Sequence, residues 1–201
     1  SFMERFFDII TTLIGLIIFT PLLLLISIAI MVFDGFPIIF VQPRLGKNKK
    51  EFNIIKFRTM KIGESKSSEE DEIRQTLLGK YLRKTSLDEL PVLINVLKGD
   101  MSLVGPRPLL IKYSERFNNF QNRRYEVLPG ITGLAQINGR NQISWEEKFN
   151  YDVQYIDENN FLLDIKILLK TVRSVLLFKG TSPEGKDIMP EFMGSEENEN
   201  N

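Results

Sequence analysis

Neither histidine nor cysteine occurs anywhere in the 201 residues of this chain. Together the two absences remove most of the familiar catalytic apparatus. Without cysteine there is no disulfide framework, no thiol nucleophile and no thiolate-bound metal. Without histidine there is no Ser-His-Asp triad, no imidazole base and no HExxH zinc site. Any chemistry must rest on carboxylates, Lys, Arg, Tyr or a metal held through oxygen, which selects hard cations such as Mg²⁺. Net charge is also absent, since 26 basic residues balance 26 acidic ones. Tryptophan occurs once, at Trp145, and no internal repeat is visible. The length suits one modest domain plus a membrane segment, not two full cores.

The zero total conceals an uneven layout. From Arg44 to Lys61 there are seven basic residues (Arg44, Lys47, Lys49, Lys50, Lys56, Arg58, Lys61) against one acid, Glu51. Just before this band, Ile9–Phe33 is free of charge and dominated by Leu, Ile and Phe, long enough to cross a bilayer as a helix. It is too long for a signal-peptide core and no small-residue cleavage site follows it. Thr20-Pro21 lies at its centre, where proline removes a backbone donor and crowds the preceding turn. A kinked span and a helix-break-helix hairpin that leaves by the face it entered are both compatible with that pattern. The basic band places residues 44 onward in the cytoplasm in either case. The expected organisation is residues 1–2 as an addition ahead of Met3, 3–36 as a membrane-embedded unit, 37–180 as one cytosolic domain and 181–201 as a tail. The acidic, Asn-rich end of that tail is expected to be disordered.

The fold class read from the pattern is α+β and mainly helical. Pro37–Gln42 and Phe52–Arg58 read as a short β-hairpin, and Gly63–Asp71 as a polar loop. Helices are expected from about Glu72 to Lys84, with Ile73, Leu77, Leu78, Tyr81 and Leu82 as the apolar face, and from Leu87 to Lys98. Another runs to about Asn122 after a proline-rich loop at Gly105–Pro108. Pro129–Gly133 is turn chemistry leading into an extended run, Leu134–Ile137. Ser144 and Glu147 form a capping box opening a helix to about Ile156. Phe161–Phe178 is amphipathic, with Leu162, Ile165, Leu168, Leu169, Val172 and Leu176 on one face; it suits either core packing or the membrane interface.

The stretch Ser86-Leu87-Asp88-Glu89-Leu90-Pro91 carries the most chemistry. With Asp88 as helix cap, Pro91 falls where no intrahelical donor is needed. Leu90, Leu93, Ile94 and Leu97 then form the buried face and Gly99 ends the helix. Adjacent carboxylates at a helix start are kept ionised by its dipole. Such a group can serve as a nucleophile or Mg²⁺ ligand, and it can equally be no more than a cap. Arg83 and Lys84 lie just upstream. Downstream, the prolines on both sides of Arg107 fix a guanidinium suited to gripping phosphate. Arg140 suits a phosphate contact or a loop salt bridge, and Asp152 and Tyr155 suit the site or the solvent.

Three ordered runs now stand together: Thr85–Pro91, Asn95-Val96-Leu97-Lys98-Gly99-Asp100-Met101-Ser102, and Gly105-Pro106-Arg107-Pro108. With Lys56-Phe57-Arg58-Thr59-Met60, Pro129–Gln136 and Asn138-Gly139-Arg140, they resemble the bacterial sugar transferase family, the monotopic phosphoglycosyl transferases. The resemblance extends from the anchor to Gly194. It implies transfer of a sugar phosphate from a UDP-sugar to a polyprenyl phosphate with release of UMP. It further implies Asp88 as the nucleophile forming an aspartyl-phosphosugar, Glu89 as its partner and a magnesium ligand, and Mg²⁺ as cofactor. Arg107 matches the family's phosphate-binding loop, and Lys56, Arg58, Arg83 and Arg140 are carried with it as phosphate or nucleotide contacts. The anchor is implied to be a re-entrant hairpin bent at Thr20-Pro21, on the inner membrane with the catalytic domain facing the cytoplasm. Asp164 matches a family acid. Ser182-Pro183-Glu184-Gly185 and Glu191-Phe192-Met193-Gly194 resemble small members acting on acetamido sugars such as N,N′-diacetylbacillosamine.

Two other classes compete. One is a non-enzymatic, membrane-anchored module whose basic residues read lipid headgroups. The other is an anchored Mg²⁺-dependent phosphohydrolase using the same aspartate with water as acceptor. Nucleic acid is not an expected partner, because the basic charge adjoins a membrane segment and lacks interleaved stacking aromatics.

Overall fold

A computed structural model of the chain describes residues 2–63, 73–139, 142–176 and 191–195. The loop expected at Gly63–Asp71 (after Gly63 itself), Arg140, Phe178 and Ser182–Gly185 lie outside the described residues.

The apolar N-terminal run is helical from end to end, and α1 spans Phe2–Phe33 with Pro21 inside it. Proline leaves the carbonyl of Ile17 without its usual donor. One residue earlier, Thr20 Oγ1 donates to the carbonyl of Leu16 at 2.7 Å, a bond that favours bending. Both ends of α1 are fastened to the domain that follows. Near the start, Arg5 donates to the carbonyls of Val96 and Leu97 at 2.7 and 3.0 Å. Asp8 accepts from Ser102 Oγ at 2.7 Å. Near the end, Ile26 and Ile30 pack with Phe57 and Leu82, and Thr76 Oγ1 donates to Asp34 Oδ2 at 2.8 Å. Between these anchorages Ile14, Ile17, Ile18, Phe19, Leu24 and Leu25 are exposed.

The expected hairpin is present as β1 (Ile39–Leu45) and β2 (Glu51–Phe57). The strands pair antiparallel, with Phe40 opposite Lys56, Gln42 opposite Ile54 and Arg44 opposite Phe52. β1 runs further than the sequence suggested because Pro43 is tolerated on a sheet edge, where no donor is needed.

Helix α2 spans Leu77–Thr85; of the expected start, Glu72 lies outside the described residues, and Ile73 and Arg74 are helical but separated from α2 by Gln75 and Thr76. Thr76 sets the start, its Oγ1 accepting from the Gly79 N–H at 2.9 Å. Its inward face is also different. Ile73, Leu77 and Tyr81 are exposed and Leu82 is buried, because the helix approaches the chain through Gly79. A Cβ there would sit 2.0 Å from the Thr59 carbonyl oxygen.

The expected helix beginning at Asp88 is instead a 3₁₀ segment, Leu87–Val92, continued by α3 (Leu93–Lys98). Asp88 is therefore inside the element and not its cap; Ser86 precedes it in the left-handed region at φ 59°. Pro91 cannot close an α turn back onto Leu87, so the tighter winding persists until it is passed. The winding changes the buried face. Asp88, Pro91, Val92, Asn95 and Val96 are buried, whereas Ile94 is exposed and Leu90, Leu93 and Leu97 are half-buried. Gly99 ends the helix at φ 88°, as expected.

Strand β3 (Ser102–Val104) pairs in parallel with β4 (Gly130–Thr132). Between them lie a 3₁₀ segment at Ile111–Arg116, α4 (Asn119–Asn122) and a 3₁₀ segment at Arg123–Glu126. The single helix expected before Asn122 is thus broken at Phe117 and recapped by Asn118 and Gln121. The extended residues expected at Leu134–Ile137 are helical, as α5; extension occurs just before, where Gly130–Thr132 finds a strand partner. Helix α6 (Trp145–Glu158) carries the expected Ser144–Glu147 capping box, and α7 spans Phe161–Leu176.

The main core lies where β2, α3, β3, α6 and α7 meet, built on Phe52, Ile54, Val96, Met101, Val104, Tyr155 and Ile167. A second cluster joins Tyr113, Phe117, Phe149 and Phe192. Trp145 packs on it, 5.6 Å from Tyr113 between ring centroids. On α7, Leu162, Leu169 and Val172 face outward while Asp164 and Ile167 are buried. The apolar stripe read from the sequence is therefore mostly an outer face.

Candidate active site

Three pieces of backbone converge at Asp88 and Glu89: strand β2, the 3₁₀ segment holding the two acids, and the Gly105–Pro108 loop. Asn95 rivets the first two together. It is fully buried, accepts from the Ile55 N–H at 3.0 Å and donates to the Asn53 carbonyl at 2.7 Å. A side chain that serves a strand as a third partner holds that strand in register with the helix. The loop is rooted by glycines. The Gly105 N–H donates to the Thr132 carbonyl at 2.8 Å and the Gly130 N–H to the Pro106 carbonyl at 3.0 Å. A Cβ on Gly130 would lie 2.1 Å from the Gly105 nitrogen, so only glycine permits this approach.

The result is a compact charge cluster. Lys56 Nζ lies 2.6 Å from Glu89 Oε1, and Arg107 closes on the same carboxylate through both terminal nitrogens. Burial pushes the Glu89 carboxyl up, but the Arg107 and Lys56 charges and hydrogen bonds outweigh it and hold Glu89 well below the usual range. Asp88 is affected in the opposite direction. Burial and then the neighbouring Glu89 charge raise it to about 6, against the pull of Lys56, Arg83 and Arg107. Among the described residues no hydrogen-bond donor reaches the Asp88 carboxylate, which is 8% exposed. Two adjacent acids are thereby differentiated: one is neutralised and locked, the other desolvated with its oxygens uncommitted. A carboxylate in the second state can act as a nucleophile.

The other expected contacts are divided. Arg83 donates Nε to Thr59 Oγ1 at 3.0 Å and its charge acts on Asp88. Arg58 points its Nη2 at the carbonyls of Asp34 and Gly35, 2.6 Å each. It joins the end of α1 to β2 and does not line the cleft beside Glu89, whose walls are Arg44, Ile54, Lys56, Val92, Arg107 and Pro108 among others. Thr20 and Pro21 stay in α1, apart from the acids in sequence and contact. Asp164 accepts from the Tyr155 hydroxyl at 2.8 Å, a buried pair joining α6 to α7. Asp152 is buried against Arg124 at 3.0 Å.

Arg124 is a residue that the sequence reading overlooked. Besides Asp152 it reaches the main-chain carbonyl of Arg107 at 2.6 Å. Its guanidinium lies 5.7 Å from the ring centroids of both Phe117 and Phe149. In the sequence it is one of two adjacent arginines, and no local pattern separates it from Arg123, whose partners Glu126 and Asp157 are on the surface.

For a hard cation the available donors are the two carboxylates. No group of three or more acids forms a ready cage among the described residues. Asp88 fits, as a buried carboxylate with free oxygens. Glu89 fits only by giving up Lys56 or Arg107.

Comparison with known proteins gives the same direction throughout. The profile of the family described as Bacterial sugar transferase matches residues 1–178. The uncharacterized sugar transferase EpsL of Bacillus subtilis is 48% identical over 196 residues, covering 96% of each chain. A UDP-glucose:undecaprenyl-phosphate glucose-1-phosphate transferase of Klebsiella pneumoniae is 41% identical over 88% of this chain and 40% of its own. An undecaprenyl-phosphate galactose phosphotransferase of Salmonella typhimurium is 37% identical over 87% of this chain and 40% of its own. The chain thus spans nearly all of the first relative and about two fifths of the other two.

Proposed function

The chain belongs to the bacterial sugar transferase family, and on that premise we propose that it moves a sugar 1-phosphate from a UDP-sugar to a polyprenyl phosphate, releasing UMP. The observation that carries this reading is the unlike pair at the site: Glu89 clamped by Lys56 and Arg107, Asp88 buried without a donor. In the first step an Asp88 oxygen attacks the β-phosphorus of the donor. The bond to the bridging oxygen breaks, UMP leaves with the electron pair, and an aspartyl-phosphosugar remains. In the second step an oxygen of the polyprenyl phosphate attacks the same phosphorus and Asp88 is regenerated. Phosphoryl transfer asks mainly for positioning and charge neutralisation, which Lys56, Arg83 and Arg107 supply without histidine. Mg²⁺ fits at Asp88 and, when bound, would neutralise the charge of the transferring phosphates.

The anchor suits a lipid acceptor. A spanning helix separates its ends by the hydrocarbon core, roughly 30 Å, whereas both ends of α1 hold the same domain through Arg5, Asp8, Asp34 and Arg58. That arrangement supports a re-entrant helix entering and leaving by the cytoplasmic face, with the exposed middle in lipid. Outward apolar residues on α2 and α7 (Leu77, Tyr81, Leu162, Leu169) support an interfacial lie for the domain. Acetamido sugars of the diacetylbacillosamine type are our choice of donor.

The direct test uses purified protein in lipid nanodiscs. Exposure to a panel of UDP-sugars with Mg²⁺ and undecaprenyl phosphate should release UMP, and intact mass without the acceptor should show a phosphosugar adduct. UMP release that is unchanged by omitting the lipid, with free sugar phosphate as product, would instead establish a hydrolase. No release from any donor would favour the non-enzymatic module.

A further inference from the structure

Arg44 is half-buried and occupies an unusual position for an arginine. It lies on β1 opposite Phe52, and on the same face of the hairpin as Gln42, Ile54 and Lys56. It therefore lines the cleft that also holds Lys56, Glu89 and Arg107. Its Nη2 donates to Gln42 Oε1 at 2.6 Å. Its Nε and Nη1 are buried and have no hydrogen-bond partner. Arg58 Nε and Arg124 Nη1 are also buried without a partner, but each of those guanidinium groups leaves one buried nitrogen unpaired against two at Arg44, and each holds two acceptors. Arg5 and Arg58 each hold two carbonyls, and Arg124 holds a carboxylate and a carbonyl. Arg44 has one neutral amide.

A guanidinium presents five donors and stays charged near neutrality. Leaving two of its nitrogens buried and unpaired costs free energy that a structural role does not recover. Among the described residues the only acid lining the cleft is Glu89, and Lys56 and Arg107 already occupy it. Three cations, Arg44, Lys56 and Arg107, thus face the cleft with Glu89, and Asp88 beside it makes no hydrogen bond to Arg44 among the described residues. Burial and the facing Arg107 depress Arg44 to about 10, which leaves it cationic and strained by its own neighbours. An incoming anion relieves both the repulsion and the missing hydrogen bonds. The cleft itself holds about 40 Å³, room for a few waters and hence for one tetrahedral anion, not for a nucleotide. A phosphate group fits there with the remainder of its molecule outside.

We propose that Arg44 is a substrate-binding residue that takes a phosphate oxygen through its Nε and Nη1, opposite Arg107 in the cleft between the hairpin and the Gly105–Pro108 loop. Gln42 acts as the positioning residue that turns the guanidinium inward. The phosphate belongs to the donor's diphosphate or to the acceptor's phosphomonoester. This assignment rests on the phosphosugar-transfer reading, and its test separates the two.

The experiment compares wild type, Arg44→Gln and Arg44→Lys in nanodiscs. One arm reads single-turnover UMP release at varied UDP-sugar without lipid acceptor; the other reads steady-state turnover at varied undecaprenyl phosphate. A third arm reads the melting-temperature rise produced by millimolar inorganic pyrophosphate. Arg44→Gln should weaken the apparent affinity for one substrate about 10- to 100-fold, the scale of a charged hydrogen bond, with the other substrate changed less than threefold. The arm that moves identifies the phosphate. Arg44→Lys, which keeps the charge and loses the paired geometry, should recover only part of it. Pyrophosphate should stabilise wild type and not Arg44→Gln. If both substrate affinities and the pyrophosphate response match wild type, or if neither variant folds, Arg44 is structural and the proposal is overturned. If wild type releases no UMP yet pyrophosphate stabilises it through Arg44, the transfer reading fails and the anion site stands.

Discussion

Arg124 donates to the main-chain carbonyl of Arg107 at 2.6 Å while its carboxylate partner, Asp152, holds it from α6 at 3.0 Å. Arg107 itself is 46% exposed in its side chain, and its backbone is tethered from behind by the buried Arg124. The chain of contacts runs from the Phe117–Phe149 aromatic cluster through Arg124 to the loop and then to Glu89. The flanking prolines stiffen the loop backbone, and the bond to the Arg107 carbonyl adds a tether.

Replacing Arg124 with Lys should therefore damage catalysis without touching a reacting atom. Lysine keeps the charge opposite Asp152 but cannot reach a carboxylate and a carbonyl in one plane. We expect kcat/KM for the UDP-sugar to fall about 10- to 100-fold, the range for loss of a charge-assisted hydrogen bond. Membrane association should be unchanged. Initial-rate UMP release and flotation with liposomes measure the two, and an unaltered kcat/KM would show that the loop needs no support.

Asp88→Asn should abolish turnover and the phosphosugar adduct, and it should also raise stability at pH 8. The sign follows from the raised carboxyl, which sits at about 6 against an ordinary 3.8. An acid raised by folding contributes its full stability below the unfolded value and loses it as pH climbs through about 6. Asparagine carries no such loss. The gain should be on the order of 2 kcal/mol at pH 8, from the free-energy equivalent of such a shift for a buried group. It should vanish near pH 3.8 and below. Melting curves at the two pH values decide it; an equal or lower melting temperature for the variant at pH 8 counts against a desolvated Asp88.

The same group sets the acid limb of activity. Adduct formation should fall about tenfold per unit once the pH drops below about 6, as the attacking oxygen takes a proton. Glu89 stays ionised over this range because Arg107 and Lys56 hold it low. Rapid-quench measurement of UMP release between pH 4.5 and 8, the range chosen to bracket that value roughly, should give a single descending limb. A flat profile would remove Asp88 from the attacking role.

The absence of native cysteine makes the anchor directly testable by single-cysteine labelling. Met3→Cys, at an exposed position, and Phe36→Cys, just beyond α1, should both resist a membrane-impermeant maleimide in intact cells. Both should react in inverted vesicles. Labelling of one end from each side would establish a spanning helix and exclude the re-entrant one.

Gly130→Ala should be severe for its size. The added carbon would meet the Gly105 nitrogen at 2.1 Å, and the backbone on both sides is hydrogen-bonded, so neither strand can yield cheaply. A loss of about 2 kcal/mol or more is expected from overpacking at such a contact, readable as reduced melting temperature and expression. A silent substitution would show that β3 and β4 can separate without disturbing the Arg107 loop.

Much of this molecule is legible in its sequence, for identifiable reasons. The missing histidine and cysteine restrict chemistry to carboxylates and cations by composition alone. The charge-free run with central Thr20-Pro21, the Ser144–Glu147 capping box and the stop at Gly99 are local signals whose physics is complete within a few residues. So is the hairpin, where alternation and a turn coincide. Local rules failed where a neighbour from elsewhere in the chain decided the outcome. Leu134–Ile137 and Gly130–Thr132 exchanged expected states because only the latter meets a strand. The inner face of α2 follows Gly79 against Thr59, 20 positions away in sequence, and not the apolar count.

The site divides along the same line. The sequence by itself named Asp88 and Glu89 with Lys56, Arg58, Arg83, Arg107 and Arg140 as candidates, through ordered motifs that resemble one family and not through any local property that ranked them. Only the tertiary structure decided the surroundings of those it describes. Adjacent acids are equivalent until burial and two cations, one from β2 and one from the Gly105–Pro108 loop, are brought onto Glu89 alone. The same packing gave Arg58 to the end of α1, Arg124 to the back of the Arg107 loop, and Arg44 to a cleft where two of its nitrogens have no acceptor. Electrostatics in a desolvated cleft depends on distances between residues far apart in the chain, and those distances exist only once the chain has folded.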